Sequence, residues 1–153
     1  MSDPDRHHFL PQFYLSRWAN GQGQLSTYFG TTLIPGLVEL PQMKVDIARM
    51  DWRVFHFRDG PYGLVTSDFP ICMLPGLASP DCLVSLPLSP TAIFLASYST
   101  DLLNQLDALQ PPALIDSANR ISIQSAQRYV YADNRQYYDL VDRFLEPVSR
   151  EPE

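Results

Sequence analysis

"MDWRVFHFRDGPYGLVTSDFP", residues 50–70, decides how the rest of the chain is read. Apolar and polar side chains alternate through its first half, the pattern of a half-buried strand. Arg53 and Arg58 bound that strand at about 52–58, with the Trp52/Val54 register competing against Phe55/Phe57. "GPYG" is a turn, and "GLVTSDFP" reads as a second strand, so residues 52–67 are expected to form a β-hairpin.

Upstream, "QLSTYFG" alternates and predicts a strand at 24–29. "TTLIPGLVELPQ" is extended but broken by Pro35 and Pro41, which suggests an edge strand or a crossing loop. Pro11 suits a first helical position, where its missing N–H costs nothing. A short helix from Pro11 to Ala19 follows, with Gly21 as its stop. Phe13, Leu15 and Trp18 cannot share one face, so this helix is expected to be buried on more than one side.

Downstream, "CLVSLPLSP" and "TAIFLASYS" give strands at about 82–87 and 92–98, joined by a Pro-Leu-Ser-Pro turn. Helices then take over. Thr100 is the expected N-cap of "TDLLNQLDAL", which puts Leu102, Leu103, Leu106 and Leu109 on one stripe. "DSANRISIQSAQRYVYA" follows, capped by Asp116 or Ser117, with Ala118, Ile121, Ser125, Ala126 and Tyr129 on its face. "NRQYYDLVDRFLEP" starts at an Asn134 cap, places Tyr138, Val141 and Leu145 together, and stops at Pro147. Strands first and helices last predict an α+β fold: an antiparallel sheet of about five strands, with a short N-terminal helix and C-terminal helices packed on it.

The 153 residues suit one domain spanning 1–153, with loose ends at 1–6 and 148–153. With 45% hydrophobic residues, a chain this long can bury roughly 68–70% of its unfolded surface without staples. No apolar run approaches the ~18–20 residues of a membrane span, and "MSDPDRHH" is too polar and acidic for a secretory signal. The expected setting is the cytoplasm.

A net charge of −6 argues against general nucleic-acid binding, which needs a positive field. Lys44 is the only lysine, so nearly every cation is an arginine, the residue suited to bidentate phosphate or carboxylate contacts. Cys72 and Cys82 lie beside apolar residues and are expected as buried thiols, with a disulfide the lesser option in the cytoplasm. Two cysteines and three histidines without CxxC or HxxxH spacing predict no metal site. No glycine-rich phosphate loop is present, so no cofactor is expected.

The candidates for chemistry are few. His7 and His8 precede a helix start, and with Arg17 they could serve as an acid/base pair on a phosphodiester without metal. The competing reading has one ring in solvent and the other hydrogen-bonded to the sheet or a carboxylate. Asp68 could orient a histidine or act as general base; otherwise its carboxylate accepts from its own loop in an Asx-turn. Thr66 and Ser67 lack the glycine frame of a nucleophile elbow, and Ser89 reads as a turn residue. Gln12 and Arg17 on the first helix, and Asn119 and Arg128 nine residues apart on a late one, are the binding candidates.

Four segments in order resemble a bacterial family catalogued as domain of unknown function 4238. They are "HHFLPQFYLSRWANGQGQLSTY", "WRVFHFRDGPYGLVTSDFPICM", "VSLPLSPTAIFLA" and "ANRISIQSAQRYVYA". The resemblance covers roughly residues 7–29 and 52–132. It implies an α+β fold that brings His7, His8, Asp68, Asn119 and Arg128 into one region, and it implies no reaction. Members usually carry a long helical stretch between the first strand and the Trp strand. Only residues 30–51 fill that gap here, so the chain resembles a shortened member. Two functions stay open: a non-catalytic interaction or accessory domain, with a protein partner or self-association, and a metal-independent phosphodiester or nucleotide hydrolase using His7, His8 and Asp68.

Overall fold

The computed structural model of the chain describes residues 12–29, 41–57 and 63–144. The expectations for both chain ends, for His7 and His8, for residues 30–40 and for Leu145 and Pro147 lie outside the described residues. The α+β reading holds, but the strands sort into two antiparallel sheets rather than one of about five. The first sheet is ordered β1–β7–β3, from Ser26–Phe29, Tyr129–Ala132 and Thr66–Ser67. The second is ordered β2–β6–β5–β4, from Asp51–His56, Ala92–Ser97, Leu83–Ser89 and Cys72–Leu74.

The expected hairpin over 52–67 does not form. β2 pairs with β6, whereas β3 crosses to the other sheet and pairs with β7. Leu64, Val65, Thr66 and Ser67 are all fully buried, because this segment runs between layers. A segment covered on both sides loses the alternation that would reveal its partner.

Among the described residues, two helices begin at prolines. α1 (Gln12–Leu15) follows Pro11 and continues as a single 3-10 turn over Ser16–Trp18. α2 (Pro41–Ala48) occupies part of the span expected to be extended. α4 (Pro111–Ser125) begins at a proline pair, five residues before the expected Asp116. Pro41 and Pro111 each stand in the first turn, where a proline's fixed φ helps and its missing N–H is not needed. α3 (Thr100–Asp107) is capped by Ser99, whose Oγ accepts from the Leu102 N–H at 3.2 Å. Thr100 is the first helical residue rather than the cap, and its hydroxyl donates to the Asp51 carboxylate.

The helix expected to run through "QRYVYA" ends at Ser125, and Tyr129–Ala132 is the central strand of the first sheet. Aromatic and β-branched residues favour the strand, and pairing on both sides fixes it. The buried stripe of α4 is therefore Leu114, Ile115, Ala118, Asn119, Ser122 and Ile123. After a 3-10 turn over Arg135–Tyr137, α5 (Tyr138–Phe144) buries Val141 and leaves Tyr138 exposed; Tyr137 takes the inner position instead.

The core has three parts. Trp18, Phe57, Leu64, Ile93, Leu95 and Leu103, with the first half of α4, fill one face of the second sheet. Val65, Ile123, Val130, Ala132, Tyr137 and Val141 pack the first sheet against the end of α4 and α5. Met50, Cys82, Val84 and Ala96 cover the opposite face of the second sheet, with Ile47 of α2 beside them. β6 thus has buried side chains on both faces, as its near-continuous apolar sequence requires.

Candidate functional site: a polar seam between the two sheets

A line of buried polar groups runs along the junction of the sheets and α4. It begins at Tyr14. β4 covers only Leu83–Ser85 of β5, so the edge of β5 beyond it is open, and Pro87 sits there. Its carbonyl accepts the Tyr14 hydroxyl proton at 2.5 Å, and the same Oη lies 2.9 Å from Thr66 Oγ1 on β3. One phenol therefore joins α1, the first sheet and the second sheet. Burial pushes the Tyr14 pKa up to about 12, against a smaller lowering from the Thr66 hydroxyl.

Asn119, 1% exposed on α4, stands in for a strand neighbour. Its Oδ1 accepts from the Val65 N–H at 2.8 Å, and its Nδ2 donates to the Gly63 carbonyl at 3.0 Å. The Gly63 N–H donates to the Tyr137 hydroxyl at 2.5 Å. Gly63 is required by space: a Cβ there would lie 2.7 Å from the Pro90 carbonyl oxygen and 3.0 Å from Tyr137 Oη. Backbone groups of a segment buried between layers need such partners, because water cannot reach them.

Asp68 closes the seam. Its Oδ1 accepts from the Gln127 N–H at 2.9 Å, and its own N–H donates to the Tyr129 carbonyl at 3.0 Å. This bond spans distant segments and is not the within-loop Asx-turn expected from sequence. The local turn bond is made by Ser67 instead, whose Oγ accepts from the Phe69 N–H at 3.2 Å. Cys72 donates to Ser125 Oγ at 3.2 Å, and burial pushes its thiol above the ordinary range. Cys72 and Cys82 are both buried and free.

The sequence candidates separate. Gln12 begins α1. Arg17 is exposed on the 3-10 turn. Arg128 lies beyond the end of α4, exposed, with its guanidinium carbon 6.0 Å from the Tyr129 ring centroid. Asn119 and Arg128 are thus not two positions on one helix face. Asp68 does meet the 127–129 turn. Among the described residues, no cluster of three or more His, Cys, Asp or Glu could hold a metal ion. Sequence reasoning passed over Tyr14, Gly63 and Tyr137, although Tyr14 stands inside the first of the four family-like segments and Gly63 inside the second.

Chemically, the seam offers two phenols, a thiol, three hydroxyls, an amide and one carboxylate. All but the Ser67 hydroxyl, which bonds within its own turn, make a hydrogen bond to another segment. Among the described residues, no serine or cysteine of the seam is hydrogen-bonded to a basic side chain. No curated protein and no solved structure matches the chain. A family model does, over residues 43–136, which takes in the Thr-Ser-Asp, Pro-Leu-Ser-Pro and Asn119 segments and starts after the His-His segment. With more than half of its length matched, the chain belongs to the family described as Protein of unknown function (DUF4238).

Proposed function

We propose that this chain is a non-catalytic interaction or accessory domain of a bacterial or phage system. One observation carries the reading: Asp68 and Asn119, the described residues most suited to chemistry, are bonded to backbone of distant segments. The Asp68 Oδ1 is used to hold the Gln127 N–H, a tethering role for the carboxylate. The second sheet, in contrast, exposes Trp52 and Val54, large apolar side chains of the kind found at protein contacts.

The test is an assay of the purified chain on a chromogenic phosphodiester and on nucleoside triphosphates, without added metal. The reading expects no turnover above that of a His7→Ala/His8→Ala double variant. Turnover lost in that variant and in Asp68→Asn would overturn it in favour of a metal-independent hydrolase.

A further inference from the structure

We infer that the outer edge of β2, unpaired among the described residues, pairs antiparallel with β2 of a second copy of this chain, with Val54 on the two-fold axis. This rests on the interaction-domain reading and names its partner. Edge strands in soluble proteins are normally short or blunted by Pro, Lys or a bulge. β3 and β4 fit that description, at two and three residues, and Pro70 and Pro75 flank β4. β2 is the longest edge strand of the two sheets, six residues without Pro, Gly or Lys.

The direction of its backbone groups follows from the ladder. The Phe57 N–H donates to the Thr91 carbonyl at 2.8 Å, continuing the register in which His56 faces Ala92. Odd-numbered residues of β2 therefore aim their backbone groups at β6, and Trp52, Val54 and His56 aim theirs outward. Among the described residues, these three have no backbone hydrogen-bond partner on that side.

A two-fold axis perpendicular to the sheet keeps like faces together, so each contact must be its own mirror. Setting Val54 opposite Val54 puts Trp52 opposite His56 on both sides. All three outward-facing residues of each strand then exchange N–H and C=O bonds. Moving the axis to Arg53 sets two guanidinium groups against each other and leaves His56 unpaired. The Val54 register has neither fault. It also makes one apolar strip across both copies from side chains now open to water, Trp52 at 57% and Val54 at 47% exposure. The Trp52 ring is already fixed for this: its Nε1 donates to the Ile47 carbonyl at 2.8 Å, and it meets Phe94 edge-on at 5.7 Å.

Sedimentation of the full chain should give twice the 17.4 kDa chain mass at tens of micromolar. Val54→Pro, which removes only an outward N–H, should halve that mass. Val54→Cys should form an intermolecular disulfide on mild oxidation, because the Cα atoms of a hydrogen-bonded antiparallel pair lie about 5.5 Å apart. His56→Cys should not, since its symmetry mate is several residues away. A wild-type monomer, or a dimer in which His56→Cys cross-links and Val54→Cys does not, would overturn the inference. Neither result bears on the hydrolysis assay, so the two readings fail separately.

Discussion

The Tyr14 hydroxyl lies 2.9 Å from that of Thr66, and through this contact the amino-terminal helix is tied to a strand 52 residues later in the chain. The same oxygen donates to Pro87 in the other sheet. Replacing it should loosen both sheets at once. Tyr14→Phe should cost about 1–3 kcal/mol in urea denaturation, the range for leaving buried polar partners unsatisfied.

Tyr14 also predicts a pH dependence. Its folded pKa of about 12 lies above the ordinary 10, so the folded state holds the proton more tightly. The stabilisation is complete below pH 10 and is lost as pH rises from 10 to 12, where the unfolded chain ionises first. Denaturation of wild type and Tyr14→Phe across this window should show the steeper loss in wild type. Parallel curves would remove the buried-phenol assignment.

Asn119→Ala should destabilise by about 2–4 kcal/mol, because both the Val65 N–H and the Gly63 carbonyl lose their partner. Asn119→Asp should fail as well, since a carboxylate cannot donate to Gly63 and its charge would be buried.

Gly63→Ala should cost about 1–3 kcal/mol, as its Cβ would press on the Pro90 backbone. Gly21→Ala is the control: nothing lies within 4 Å of a Cβ there, so its melting curve should stay close to wild type.

Cys72 and Cys82 should resist a thiol reagent in the native protein and both react in urea. Burial hides the two thiols and pushes them up, so little thiolate is present at neutral pH. Mass spectrometry of the modified protein would read this, and rapid native labelling of either thiol would contradict it.

Fold class was legible in the sequence because strand alternation and helix stripes occupy different parts of the chain. β5 and β6 were legible for the same reason, but the turn expected at Pro-Leu-Ser-Pro was not: β5 runs on through Ser89, and the chain turns at residues 90 and 91. The partner of β3 was not, since Leu64–Ser67 are buried on all sides and carry no period. β7 was misread because "RYVYA" continues an apparent helix, and only its two neighbouring strands fix it as extended. Asp68 and Asn119 could be singled out as polar residues at strand and helix positions. Their partners, Gln127 and the 63–65 backbone, depend on a packing that no local pattern encodes.

The buried polar residues of the seam hold the fold together. Urea denaturation of Asp68→Ala tests this most directly. Loss of about 1–3 kcal/mol is expected, with Asp68→Asn closer to wild type because its amide oxygen can still accept from the Gln127 N–H. An Asp68→Ala curve that overlays wild type would contradict the account.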